Sequence, residues 1–367
     1  GAAAARRRVA ADVRAGQVEL LAQEVHEQRP RLDLGCVRRA VDGHGDGLAH
    51  GALLPNSSPR TAGVDARHPS RVAREWEPRG SRCPEAETEQ RGLAPLLSFG
   101  AGILYAPAVP AARAAVDVPG SSANLGPGYD CLAVALPLRL RVAVERRPGP
   151  LEVRVAGEGA DALPADASNL VAATLLAELD ERGDDLAVAI DNGIPLGAGC
   201  GSSAAAIVAA LAAADLLRGV DLDHAGLVLR ATAIEGHPDN VAASVLGGFT
   251  LAAGDPPAAR RIEPPAGLAF ALVVADERVA TKDARAALAA DVSRASAVWN
   301  LQHTALLVHA LHAGDADDVG RALADRLHQD ARAPLMPTFA ALRAHAAELG
   351  ALGVTLSGAG PSALVWC

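Results

Sequence analysis

The pattern of apolar and polar positions divides the chain into two parts near residue 110. Residues 1–110 are rich in Arg, Gly, Pro and His and show almost no apolar periodicity, apart from a short helix predicted around Val18–Val25. A segment that buries little apolar surface cannot offset the entropy lost on ordering it. We therefore expect residues 1–110 to be a low-complexity, largely disordered extension. Either a real appendage or an over-extended gene model would explain it.

From residue 111 onward the pattern is that of a packed domain. Leu138, Leu140, Val142 and Val144 alternate with other residues as in a half-buried strand. The predicted strands are Ala114–Val118, Leu138–Val144, Leu186–Ile190, Phe270–Ala275, Val354–Leu356 and Ala363–Trp366. The predicted helices are 201–217, 293–312, 315–328, 337–349 and one capped by Asp223 that runs to Glu235. Because strands and helices alternate irregularly, an α+β fold is favoured over a doubly wound sheet.

Composition and charge exclude several classes of protein. Hydrophobic residues make up 50% of the 367 residues, enough for one large or two moderate domains. The net charge of −9 argues against a nucleic-acid-binding protein. No apolar run reaches the roughly 18 residues of a membrane span, so no membrane partner is expected. The five cysteines are scattered without a CxxC pair, which suits a reducing compartment, and we expect a cytoplasmic protein.

A glycine-rich loop that leads directly into a predicted helix is the strongest chemical motif. Its alternating glycines allow positive φ angles and close approach to an anion, and the helix N-terminus adds unpaired N–H groups and a positive dipole end. It is not a Walker A loop, because that motif needs a Lys and the one lysine of the chain is Lys282. Taken alone, the motif could also be an ordinary turn. Its residues are Pro195, Leu196, Gly197, Ala198, Gly199, Cys200, Gly201, Ser202, Ser203, Ala204 and Ala205.

A second motif concentrates polar groups at the end of the predicted helix 223–235. Its residues are Glu235, Gly236, His237, Pro238, Asp239 and Asn240. Carboxylate oxygens are suitable ligands for Mg²⁺, which usually keeps several waters. A solvated helix terminus is the alternative interpretation.

Two further turns carry polar groups. The first runs from Ser121 to Asp130, and its Asn124 and Asp130 could bind an ammonium or hydroxyl group. The second runs from Ser357 to Ser362 and could present backbone N–H groups to an anion.

In this order and spacing, the four motifs resemble those of the GHMP kinases, and the Glu-Gly-His-Pro-Asp-Asn segment is similar to the version found in homoserine kinases. The resemblance spans about residues 111–367. It implies an α+β GHMP kinase fold with a ribosomal-protein-S5-domain-2-like ATP-binding part (111–265) and a ferredoxin-like part (266–367). The family usually continues for a further strand and helix, so the second part is expected to be truncated.

The resemblance also implies an activity: transfer of the γ-phosphoryl of ATP to L-homoserine, with Mg²⁺, for threonine biosynthesis. The loop 195–205 would hold ATP, with Ser203 and Glu235 as metal ligands. Glu235, Asp239 and Asn240 would be the catalytic residues, with Asp239 polarising or positioning the hydroxyl. The residues implied at the substrate are Asn124, Asp130 and His237, with Arg285 and Arg332 on its carboxylate; Asp239 and Asn240 would also line this pocket. A homodimer is compatible with the resemblance.

Two positions depart from the family pattern. Cys200 stands where Leu is usual, a modest apolar change, and His303 stands where relatives often carry Arg. Two other functions stay open on the sequence alone: a GHMP kinase acting on mevalonate or a sugar, and a catalytically inactive homologue that serves as a binding module.

Overall fold

The computed structural model describes residues 102–105, 112–181, 185–263 and 267–367, together with the backbone of residues 19–23. The strands are β1 (Glu19–Gln23), β2 (Leu104–Tyr105), β3 (Arg113–Ala123), β4 (Leu132–Arg146), β5 (Glu152–Gly157), β6 (Leu186–Asn192), β7 (Phe249–Ala253), β8 (Ala258–Ile262), β9 (Phe270–Val274), β10 (Gly353–Leu356) and β11 (Ala363–Trp366). The helices are α1 (Leu170–Leu179), α2 (Ser202–Leu217), α3 (His224–Glu235), α4 (Asp239–Leu246), α5 (Thr281–Ala286), α6 (Arg294–Ala313), α7 (Ala316–Ala322), α8 (Gln329–Arg332) and α9 (Pro337–Ala344).

Within the described part of the chain, seven strands form the larger sheet. Its order is β2-β3-β4-β6-β5, and β7 pairs with both β4 and β8. The long strand β4 pairs with β3 along one edge, and along the other edge its last residues pair with β6 and its first three with β7. Leu140, Val142 and Val144 are buried while Arg141 between them is exposed, which confirms the alternation predicted for this strand.

The Ala-rich helix α2 lies at the centre of the larger half. Residues 204–217 are all buried, as expected of a helix that is apolar on every side. The helix packs against β3 and β4 and contacts α1 and α3. Its N-terminus, which begins at the glycine-rich loop, is therefore held rigidly.

The smaller sheet has the order β1-β9-β11-β10 and is antiparallel throughout. Alternate residues of β9 face opposite sides: Ala271 and Val273 pack with Phe339 of α9, whereas Phe270 and Leu272 join the main core. Burial of both faces explains why this strand is an uninterrupted apolar run. The two halves of the molecule thus share a continuous core.

Two predictions for the first part of the chain are wrong, one about the type of an element and one about where the folded part begins. The segment around Val18–Val25 contains a strand, β1, where it is described, because its backbone pairs with β9. The folded part begins before residue 111, since β2 pairs with β3 and Ile103 is buried. The rest of the predicted extension lies outside the described residues.

Two predicted helices are too long. The helix predicted for 315–328 ends at Ala322, and the Asp325 side chain then accepts the backbone N–H groups of residues 327–329. This local bonding competes with a continuing helix. The helix predicted for 337–349 ends at Ala344 and is followed by turns.

Candidate active site

The glycine-rich loop depends on three left-handed residues. Gly197, Gly199 and Gly201 have φ angles of 65°, 74° and 70°. A side chain on Gly199 would overlap the carbonyl of Ser357, and one on Gly201 would overlap Ser121 Oγ. Gly197, in contrast, faces open space. The loop conformation therefore depends on glycine, and the loop leads directly into the N-terminus of α2, where an anion would be stabilised.

The turn 357–362 supports the loop from the other half of the molecule. Ser357 Oγ donates a hydrogen bond to Gly199 O at 2.7 Å, and the N–H of Ser362 lies 3.4 Å from Ala198 O. Cys200 is buried between these segments, and burial raises the pKa of its thiol to about 12. The thiol is therefore neutral, so the replacement of a usual Leu by Cys is a modest change of apolar packing.

The motif from Glu235 to Asn240 joins the end of α3 to the start of α4. Glu235 is the last residue of α3, and its Oε2 accepts a hydrogen bond of 2.7 Å from Ser203 Oγ in the first turn of α2. Asn240 Oδ1 accepts a hydrogen bond of 2.9 Å from Ser121 Oγ. These contacts hold the motif beside the glycine-rich loop.

Asp239, which lies next to Asn240 in this motif, is a buried carboxylate with only 2% of its surface exposed. His237 Nδ1 lies 3.5 Å from Asp239 Oδ1, which is an ion-pair distance rather than a hydrogen bond. The carboxylate raises the pKa of His237, while burial opposes the rise. Asp239 therefore favours the protonated form of the His237 imidazole.

Asn124, predicted at the substrate, connects two turns through its side chain. Its Oδ1 accepts the N–H of Asp130 at 3.0 Å, and its Nδ2 donates to Gly358 O at 2.8 Å. The residue is buried and holds a positive φ of 72°. The side chain thus ties the turn 121–130 to the turn 357–362 and keeps one amide hydrogen for another partner.

Asp130 and the two predicted arginines lie together beside Asp239. Arg285 Nη2 is 3.7 Å from Asp130 Oδ1. Burial and the nearby Asp239 raise the pKa of Asp130, whereas Arg285 lowers it. Arg332 is buried, and its Nε donates to Ala284 O at 3.0 Å, next to Arg285 in the chain. One carboxylate and two guanidinium groups from three distant segments therefore share one region.

Several residues that contribute to this arrangement were missed in the sequence. Ser121, Ser357 and Tyr129, whose ring centroid lies 5.5 Å from the guanidinium carbon of Arg332, lie inside the quoted motifs. No role could be assigned to them before their partners were known. His328 is bonded to Arg332, and the spacing of four residues between them was the signal available.

Among the described residues, no group of three or more His, Cys, Asp or Glu side chains is arranged to hold a metal ion. No helix in the described part of the chain is long and apolar enough to cross a membrane.

Comparisons with known proteins identify the family. The GHMP kinase N-terminal domain matches residues 169–248 and the GHMP kinase C-terminal domain matches residues 307–367. The chain is 40% identical over 257 residues to the homoserine kinase of Moorella thermoacetica, covering 69% of this chain and 86% of that protein. It is 43% identical over 263 residues to that of Gloeobacter violaceus, covering 68% and 86%.

A solved structure gives the same result. The crystal structure of homoserine kinase from Cytophaga hutchinsonii matches with a TM-score of 0.63 and 29% identity, covering 70% of this chain and 85% of that one. With the site geometry and the relatives in agreement, the chain belongs to the GHMP kinase family, among the homoserine kinases.

Proposed function

We propose that this protein transfers the γ-phosphoryl group of ATP to the side-chain hydroxyl of L-homoserine. The observation that carries the proposal is the adjacency of two different subsites. Gly201, at the start of α2, abuts Ser121 and Asn240, and Asp239 beside them neighbours the charged group of Asp130, Arg285 and Arg332. An anion-binding loop thus meets a site with one acidic and two basic side chains, which complements a zwitterionic amino acid.

At the nucleotide end, residues 195–205 would hold the phosphates through backbone N–H groups and the α2 dipole. Ser203 Oγ and Glu235 Oε2, 2.7 Å apart, supply two oxygen donors at the edge of this loop. Such a pair fits Mg²⁺, which usually takes one or two protein oxygens and completes its shell with phosphate oxygens and water. When bound, the ion would neutralise charge on the β- and γ-phosphate oxygens.

At the acceptor end, Asp130 would pair with the α-ammonium group and the two arginines with the α-carboxylate. Asp130 and Arg285 already form a 3.7 Å ion pair, so a zwitterion can replace each partner with a group of the same charge. Planar guanidinium groups suit a carboxylate because they can donate two parallel hydrogen bonds. Asn124 would contribute chiefly by shaping the turn that carries Asp130.

The transfer joins the homoserine side-chain oxygen to the γ-phosphorus and breaks the bond between that phosphorus and the β,γ-bridging oxygen, releasing ADP. The hydroxyl proton passes to an oxygen of the transferred phosphoryl group as the new bond forms, and from there to solvent. Asp239 would orient the hydroxyl by accepting its hydrogen bond, with His237 as its neighbour at 3.5 Å. Asn240 would act through Ser121, which it holds against the glycine-rich loop. Because phosphoryl transfer needs mainly positioning and charge stabilisation, a strong general base is not required.

A coupled assay of ADP release with L-homoserine, ATP and magnesium tests the proposal, with mevalonate and galactose as competing acceptors. We expect homoserine to give the highest kcat/KM. Faster turnover of mevalonate or galactose would assign a different substrate. Binding of ATP without turnover of any acceptor would indicate an inactive homologue that serves as a binding module.

A further inference from the structure

His328 is a fully buried histidine that the proposed reaction does not use directly. Its Nε2 lies 2.8 Å from the carbonyl oxygen of Gly126, which can only accept a hydrogen bond. Nε2 therefore carries the hydrogen. The other ring nitrogen, Nδ1, then presents its lone pair to Arg332 Nη1 at a distance of 3.1 Å. The imidazole is thus a donor to the turn 121–130 and an acceptor for Arg332.

Arg332 is held by neutral acceptors from separate parts of the fold. Besides His328, its Nε donates to Ala284 O at 3.0 Å and its Nη1 lies 3.4 Å from Gly358 O. In the described part of the chain, no carboxylate forms an ion pair within 4 Å of its guanidinium group. A buried cation without an anion at contact distance is costly. That cost is relieved when an anionic ligand binds.

The chemistry of His328 as an acceptor explains why the positive charge of Arg332 stays uncompensated in the free protein. A carboxylate at the same place would neutralise Arg332 and compete with an incoming anion. A protonated imidazole would repel the guanidinium group. A neutral imidazole orients the cation without cancelling its charge. Burial lowers the pKa of His328 despite the opposing effect of Asp325, whose Oδ2 is 3.8 Å from Nε2.

We propose that His328 is a positioning residue that orients Arg332 for the carboxylate of the amino-acid substrate. This inference rests on the proposed function, since it takes the Arg332 ligand to be that carboxylate. His328 acts only through Arg332 and touches neither ATP nor the reacting hydroxyl. It is therefore a determinant of amino-acid affinity rather than of phosphoryl transfer.

Two amide variants, each of which can replace one ring nitrogen, separate the two hydrogen bonds of His328. In His328→Asn, the amide oxygen can occupy the place of Nδ1 and still accept from Arg332, while the bond to Gly126 is lost. In His328→Gln, the amide nitrogen can reach the place of Nε2 and keep the bond to Gly126, while Arg332 loses its acceptor. We expect His328→Gln to raise KM for homoserine roughly three- to tenfold, the effect of one net hydrogen bond. KM for ATP and kcat should change less than twofold, and His328→Asn should raise KM for homoserine less than His328→Gln does.

Melting temperatures measured on the same samples show whether a change in KM comes from lost positioning of Arg332 or from lower stability of the protein. Equal KM effects in the two variants, or KM values that follow the melting temperature, would overturn the proposal. A wild-type protein that does not turn over homoserine would refute the proposed function instead. Because both variants could fold poorly, ¹⁵N NMR of the wild-type imidazole provides a second test. A neutral ring with its hydrogen on Nε2 at pH 7 is expected, and an Nδ1–H tautomer or an imidazolium would refute the inference.

Discussion

The two ends of the candidate site are built in different ways. The phosphate end consists mainly of backbone from one continuous segment, residues 195–205, whose glycines adopt positive φ angles before α2 begins. The carboxylate end consists of side chains from three separate segments, with Asp130, Arg285 and Arg332 brought together by the fold. A site made of backbone is specified locally and tolerates few substitutions at its glycines. A site made of side chains depends on the packing behind each group.

Glu235, which we propose as a metal ligand, should give the largest effect of any substitution at the phosphate end. Glu235→Gln keeps the shape of the side chain and its bond to Ser203 but removes the negative charge. We expect kcat to fall about 10²- to 10³-fold, or roughly 3–4 kcal/mol, because the lost interaction stabilises charge that develops during transfer. KM for ATP should change much less. The measurement is steady-state kinetics over a range of Mg²⁺ concentrations.

Asp330→Asn is a suitable control, since it removes an acidic charge from an exposed pair with Arg343. A Glu235→Gln enzyme with kcat within threefold of the wild type would place the metal elsewhere.

At the carboxylate end, Arg332→Ala should act on the amino acid alone. A charge-assisted hydrogen bond contributes about 1.5–3 kcal/mol, so KM for homoserine should rise roughly ten- to a hundredfold, with little change in KM for ATP. Arg332→Lys should recover only part of the loss, because an ammonium group lacks the planar fork that also reaches Ala284 and Gly358.

An alcohol that lacks the carboxylate provides the control for this arginine. It should be a poor substrate of the wild type and no worse a substrate of Arg332→Ala. If the alcohol and homoserine lose affinity equally, or if KM for ATP rises instead, Arg332 does not bind the carboxylate.

Gly197 and Gly199 of the glycine-rich loop provide a matched pair of substitutions with smaller expected effects. Gly197→Ala introduces only the strain of a left-handed alanine, about 1–2 kcal/mol, because open space surrounds that position. Gly199→Ala adds an overlap with the Ser357 carbonyl, so it should be more destabilising and should also raise KM for ATP. Denaturant unfolding and ATP kinetics on both variants test this order. Equal losses would show that contact with the turn 357–362 does not fix the loop.

This contrast also explains what could be predicted from the sequence. The helix α2 and its N-terminal loop were predicted correctly because glycine spacing and apolar periodicity are local signals. The GHMP kinase family, identified from four motifs in order, is confirmed by the matched domains and relatives. The proximity of Arg285 to Asp130 followed from the resemblance only, since nothing local links residues so far apart.

Other features could not be predicted because they depend on tertiary contacts. The hydrogen bonds by which the Asn124 amide joins two turns involve Gly358, far away in the chain. The stretch 323–328 looked helical, yet Asp325 binds its backbone N–H groups instead. The role of His328 depends on Gly126, which is 202 residues away in the chain.

The expected effect on catalysis is smallest for residues 102–110, which the sequence assigned to the extension. Ile103 is buried, its N–H donates to Val245 O at 3.2 Å, and Arg139 Nη2 donates to Gly102 O at 3.2 Å. A protein that starts at residue 111 should therefore be less stable than one that starts at residue 102, by about 1.5–3 kcal/mol for the lost isoleucine side chain. The hydrogen bond of Ile103 goes to Val245, which is not among the candidate site residues. We therefore expect kcat/KM for homoserine to be equal in both truncated proteins and the full chain. Denaturant unfolding and kinetics on the three proteins decide the matter. A tenfold loss of kcat/KM in either truncated protein would mean that the first hundred residues take part in the site, whereas equal stability of the two would return the domain boundary to residue 111.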